Sequence, residues 1–143
     1  MSDLGAASSD RPAREQSAGA IDLVMEFLGL VEARRLTEAG RFLSSEVEIV
    51  FPGGRRFASL DEQVASSAGR FRSVRKSHDS FDVAVDGDRT IVYVFGTLEG
   101  EDVEGQAFAS VRFIDRFVLV DGLIRSHMVW NDLAECGVVR IKD

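Results

Sequence analysis

Apolar residues first recur along the chain at helical spacing. Between Ala18 and Ala33, Ile21, Val24, Met25, Leu28 and Val31 fall at i, i+3, i+4 and i+7, the stripe of an amphipathic helix. Leu23, Phe27 and Leu30 widen that stripe, so the helix should be buried on more than one side. A shorter helix is expected from about Thr37 to Leu43, with Thr37 as its N-cap. Val47, Ile49 and Phe51 then alternate with Glu46, Glu48 and Val50, predicting a strand that Pro52-Gly53-Gly54 ends. Ser59-Leu60-Asp61-Glu62 has the spacing of a capping box. The helix behind it should reach about Val74, with Val64, Ala68 and Phe71 on its inner face.

From Ser77 onward the period switches to two. Phe81, Val83 and Val85 lead to a turn at Asp86-Gly87-Asp88, followed by a strand from about Thr90 to Glu99. After a Gly- and acid-rich loop (Glu99 to Gly105), a long strand is predicted from Gln106 to Val120. Asp121-Gly122 turns the chain into a last strand, Leu123 to Asp132. Helices first and a strand meander second predict an α+β fold, with helices on one face of a bent antiparallel sheet.

Length and charge narrow the function. A chain of 143 residues fits one domain. No run of 18 apolar residues occurs, so no membrane helix is expected. Residues 1–16 lack an apolar stretch, do not read as a secretory signal, and are expected to form a disordered tail. A net charge of −7 argues against nucleic acid. The one basic run, Arg70 to Lys76, reads as a helix C-terminus. Cys136 is the single cysteine, which excludes an internal disulfide or a Cys-based zinc site and points to a reducing, cytoplasmic setting. Gly53, Gly54 and Gly100 read as turn glycines, with no phosphate-binding loop among them.

The last hairpin holds the candidate chemistry. Val111, Phe113, Asp115, Phe117 and Leu119 share one face of their strand. An acid among four large apolar groups is costly to bury unless it is paired or protonated. A three-residue loop over Val120–Gly122 would pair Leu119 with Leu123 and set Asp115 opposite His127. A two-residue loop would shift the register by one and set His127 opposite Arg116. An Asp–His pair in an apolar cavity can act as orienting acid and general base, and Asn131, on the same face, could hold a substrate carbonyl. The bland alternative pairs Asp115 with an Arg or the backbone and leaves His127 a satisfied core residue. Strict alternation puts His78 toward solvent with Ser80 and Asp82; a β-bulge would turn it inward. Asp115, His127 and His78 match no metal motif by spacing, so no metal is expected. Tyr93 reads as packing. Ile124, Met128 and Trp130 form an outward apolar stripe, which suggests a dimer interface.

Three segments carry a resemblance to a known family: Glu32 to Leu43 (EARRLTEAGRFL), Val47 to Gly54 (VEIVFPGG) and Arg112 to Asp132 (RFIDRFVLVDGLIRSHMVWND). Over residues 18 to 134 the chain resembles the NTF2-like superfamily, with its SnoaL-like and ketosteroid-isomerase-like members. That resemblance implies a cystatin-like cone, in which N-terminal helices pack on a curved antiparallel sheet around a pocket. It divides the chain into a tail (1–16), the domain (17–135) and a C-terminal extension (136–143). The family includes isomerases, dehydratases, cyclases, epoxide hydrolases and proteins without chemistry, so fold alone does not name an activity.

The general-base Asp of ketosteroid isomerase falls at Phe51 here and its oxyanion Tyr at Phe27; only its second Asp has a counterpart, Asp115. The Asp-Arg-Asp set of limonene-epoxide hydrolase falls at Gly96, Leu98 and Val129. Both activities are therefore expected to be absent. The scytalone dehydratase branch uses a strand His oriented by an acid at the end of helix one, and His78 with Glu32 occupies those places. The resemblance also favours the register that pairs Asp115 with His127, and puts Phe27, Phe51, Phe113 and Val129 on the pocket wall. The expected ligand is small and apolar, with no cofactor, no nucleic-acid or membrane partner, and a homodimer as the assembly. Two readings stay open: a cofactor-independent isomerase, dehydratase or cyclase, and a non-catalytic ligand-binding or dimerisation module.

Overall fold

The computed structural model describes residues 3–140, with backbone alone for 3–10. The outermost residues of the expected tail and extension, 1–2 and 141–143, lie outside the described residues. Helix α1 spans Asp3–Glu32, so it takes in most of the segment expected as a tail. The last four residues of that segment, Ala13-Arg14-Glu15-Gln16, are strong helix formers, and Gln16 Nε2 ties the segment down by donating 2.7 Å to Thr90 Oγ1. Helix α2 covers Leu36–Gly40. Its N-cap is Arg35, without a side-chain cap bond, so Thr37 lies inside the helix and not at its cap.

Strand β1 runs Leu43–Phe51 and ends in a 3-10 turn, Pro52–Gly54, where Gly53 and Gly54 take φ of 83° and 76°. Only glycine adopts such angles without strain. The short β2 (Arg55–Phe57) follows, then α3 (Leu60–Ser67). Ser59 Oγ caps α3 by accepting from Glu62 N at 3.1 Å; Glu62 reaches back to accept from Ala58 N, completing the box one residue further out than expected.

Helix α3 stops seven residues before the expected Val74. Phe71 already belongs to β3 (Phe71–Asp86), so the basic run Arg70 to Lys76 opens a strand rather than closing a helix. Strands β4 (Arg89–Asp102), β5 (Ala107–Val120) and β6 (Leu123–Asn131) complete the chain's meander. Strand β4 extends to Asp102, into the first part of the expected loop, so Gly100 is a strand residue and the turn is confined to residues 103–106. An added Cβ there would lie 2.0 Å from Ser73 O, so only glycine fits this close crossing of β3.

The six strands form one curved sheet in the order β2-β1-β6-β5-β4-β3. It is mixed rather than purely antiparallel, because β1 runs parallel to β6. The core lies between α1 and the concave face, built from Val24, Phe27 and Leu28 against Val92, Val94, Phe117, Leu119 and Ile124. Leu133 and Val139 fold back onto this core, so the start of the expected C-terminal extension packs against the domain. No helix among the described residues is long and apolar enough to cross a membrane.

Candidate functional site

Two irregularities in strand pairing decide which side chains face the concave side. The first sits in the β5–β6 hairpin. Its loop is two residues, Asp121 and Gly122, both left-handed (φ 53° and 75°), with Val120 paired to Leu123 and Leu119 to Ile124. Left alone, that register would set His127 against Arg116. Instead the pairing shifts between Leu119 and Val118, and Arg125 is the extra residue. From there Val118 pairs with Ser126, Phe117 with His127 and Asp115 with Val129.

Neither expected register is therefore found. The bulge nevertheless restores the parity of the first one, so Asp115, Phe117, His127 and Val129 all face inward. Asp115 and His127 meet diagonally rather than directly opposite each other. The same shift places Ile124 inward and fully buried, which removes it from the expected outer stripe. Trp130 does face outward and is 52% exposed.

The second irregularity is in β3. His78 pairs with Gly96 and Ser80 with Phe95, so Asp79 is the bulged residue. Before it, Val74, Lys76 and His78 face the concave side; after it, Phe81 and Val83 do. The bulge thus turns His78 inward, against the strict alternation that would point it to solvent. Gly96 makes this possible: a Cβ there would lie 1.8 Å from Ser77 O and 2.9 Å from Phe113 Cε1.

The result is a cavity of about 130 Å³ between α1, α3 and the sheet. Phe27, Phe51, Phe113, Val129, Glu32, His78, Asp115, His127 and Asn131, all expected at a site, line it together with Lys76. Asp115 is completely buried and His127 nearly so. Lys76 Nζ donates to Asp115 Oδ2 at 2.6 Å, and His127 Nε2 lies 3.1 Å from the same oxygen. His127 stacks on Phe117 at 4.2 Å, with the edges of Phe27 and Phe51 about its ring. Lys76 crosses the Phe113 ring at 4.9 Å on its way to the carboxylate.

The electrostatics follow from this packing. Burial pushes the Asp115 carboxyl up, but the Lys76 charge and the His127 hydrogen bond outweigh it and hold the group at about 2. Burial lowers His127; Asp115 works in the opposite direction without overcoming it, and Lys76 adds to the lowering. His78 is also lowered, by burial first and Lys76 second. At neutral pH the cluster is therefore an ionised carboxylate, an ammonium and two neutral imidazoles. An ionised carboxylate only accepts, so His127 Nε2 carries the proton and Nδ1 the lone pair.

Two buried polar atoms of this cluster, Asp115 Oδ1 and His78 Nε2, have no hydrogen-bond partner among the described residues. Glu32 lines the cavity and its charge reaches His78, yet no hydrogen bond joins them. Asn131 Oδ1 accepts from Leu133 N at 3.1 Å, which leaves its amide donors for the cavity. The described residues contain no group of three metal-ligating side chains.

Lys76 is the participant that the sequence reading missed. Its signal was present: Val74, Lys76 and His78 alternate with Arg75 and Ser77. The capping box upstream masked it by extending a helix across the same residues.

No protein-family model matches this sequence, and neither does any curated protein. Solved structures do match. An NTF2-like protein of unknown function from Burkholderia pseudomallei superposes with a TM-score of 0.70 at 19% identity, over 86% of this chain and 98% of that one. TerC, crystallised with polyporic acid, gives 0.69 at 21% identity over 84% and 97%. A proposed ketosteroid isomerase from Shewanella frigidimarina gives 0.65 at 19% identity over 78% and 94%. The chain has the NTF2-like α+β fold, helices on one face of a curved sheet that does not close.

Proposed function

We propose that this cavity binds a small, largely apolar molecule and moves a proton on it without a cofactor, as an isomerase, dehydratase or cyclase would. The observation that carries this reading is the 3.1 Å contact between His127 Nε2 and the buried Asp115 Oδ2 in a cavity of ligand size. Its volume is of the order of the ~150 Å³ apolar cavity that holds one benzene. His127 Nδ1 is the base. Asp115 fixes the tautomer through Nε2 and stabilises the imidazolium that forms when the proton is taken. Lys76 keeps Asp115 ionised for that task. Asp115 Oδ1 and His78 Nε2, both without partners among the described residues, accept polar hydrogens of the substrate, and the His127 imidazolium returns the proton from Nδ1 elsewhere on it. Asn131 donates to a substrate carbonyl. Phe27, Phe51, Phe113 and Val129 supply the apolar wall, and the protein works as a homodimer in the cytoplasm.

The test is a histidine NMR titration of wild type and Asp115→Asn. In wild type, His127 should titrate below its ordinary value of about 6.5. Removing the carboxylate should lower it further, because Asp115 is what holds it up. Two histidines that titrate normally and ignore the substitution would sink the reading.

One observation favours a non-catalytic module instead. Lys76 neutralises Asp115 at 2.6 Å, as a purely structural ion pair would. On that reading Lys76→Met with Asp115→Asn would leave ligand affinity intact, and the outward Trp130 would mark a dimer face whose loss in Trp130→Ser yields monomers in sedimentation.

A further inference from the structure

The cavity opens on one side into a wide cleft. Pro52, Arg55, Ser66, Arg70, Phe113 and Asn131 line both spaces and so form the rim between them. Two of these six are arginines, and both are half-buried. Neither belongs to an ion pair among the described residues, although seven arginine or lysine pairs with carboxylates are formed elsewhere in this acidic chain. Glu32, the other acid on the cavity wall, pairs with neither of them.

Arg55 is also held in place. Its Nε donates to Pro52 O at 3.2 Å, and its guanidinium lies over the Phe57 ring at 5.6 Å. This leaves both terminal nitrogens without an acceptor among the described residues. Burial, and then the nearby Arg70 charge, lower the Arg55 guanidinium from its ordinary value. Two like charges brought together at a partly desolvated rim oppose folding unless an anion joins them. Each guanidinium presents two parallel N–H donors that match the two oxygens of a carboxylate.

We propose that Arg55 and Arg70 form an anion clamp at the cavity rim, and that the ligand is a small ring compound bearing a carboxylate. Its apolar ring occupies the space between Phe27, Phe51 and Phe113, and its anionic group sits between the two arginines. The bound molecule thereby takes one orientation, with the end remote from its carboxylate directed at Asp115 and His127. This rests on the cavity being a ligand site, as proposed above, but not on the proton transfer.

The test is calorimetric titration of the full chain with phenylacetate and with phenylacetamide, its neutral isostere. Wild type should bind the acid about tenfold tighter than the amide, the worth of one hydrogen-bonded charge. Arg55→Gln and Arg70→Gln should each shrink that ratio severalfold without lowering the midpoint of thermal unfolding. Equal affinity for the two probes, no binding of either, or a preference indifferent to both substitutions would overturn the clamp. Asp115→Asn separates the two proposals. If the acid preference persists there while the histidine titrations fail to respond, proton transfer is wrong and the clamp stands. If the histidines respond as expected but no acid preference exists, the reverse holds.

Discussion

The concave face of this sheet has two ends of opposite character, built from the same four strands. Toward the β5–β6 turn it is dry: Val92, Phe117, Leu119 and Ile124 pack against Val24 and Phe27. Toward the other end it carries Lys76, His78, Asp115, His127 and Asn131. The border lies at the two bulges. Past Asp79, β3 offers Phe81 and Val83 to the core, whereas before it the strand offers Lys76 and His78. Beyond Arg125, β6 changes from Ile124 to His127. A bulge costs one ladder position and in return re-phases every residue on one side of it. Here that re-phasing brings charged groups inward at one end without disturbing the packing at the other.

The most damaging way to break this contrast is Lys76→Met. It strands a fully buried carboxylate beside a neutral imidazole, and should destabilise the fold by about 3–5 kcal/mol in urea unfolding. Adding Asp115→Asn should recover a large part of that loss, since the buried charge then disappears with its partner. If the single substitution is as stable as wild type, the polar end is wetter than described.

Gly96→Ala attacks the border itself. Its Cβ would collide with a backbone oxygen, Ser77 O, so β3 must move or the bulge must be lost. A cost of about 3 kcal/mol is expected, together with a changed His78 resonance. An unchanged His78 signal would mean that the bulge does not depend on the missing side chain.

Acid should separate the two ends, because only the polar one titrates. The folded-state values of His127 and His78 are lowered, so the unfolded chain binds more protons and stability falls as pH drops below about 6.5. Asp115, held at about 2 against 3.8, adds stability present above pH 4. That contribution, about 2 kcal/mol, is lost as pH falls from 4 toward 2. Asp115→Asn should flatten the lower limb of the curve, and denaturant midpoints measured across pH would show it.

The smallest effect expected is that of Ser59→Ala. Helix α3 covers the polar end, and the loss of its cap should cost about 1 kcal/mol, visible as a lowered melting temperature with both histidine titrations unmoved.

What the sequence alone determined was local and periodic. The stripe from Ile21 to Val31, the Ser59 cap, the turn at Pro52-Gly53-Gly54 and the alternation through β4, β5 and β6 rest on spacing within a few residues. So does the apolar face centred on Asp115, the acid that the fold buries. Short-range signals failed where they competed. The capping box carried α3 into β3 because Arg70 to Lys76 suits a helix end as well as a strand, and so Lys76 was lost from the site. What only the tertiary structure decided was phase: which side His78 faces, which residue His127 opposes, whether Ile124 lies in or out. Each depends on a single bulged residue, Asp79 or Arg125, whose position is set by how neighbouring strands approach. At Gly96 that approach needs the absence of a Cβ against a carbonyl 19 residues earlier in the chain. No local pattern encodes such a contact, because alternation repeats every two residues and one extra residue inverts it.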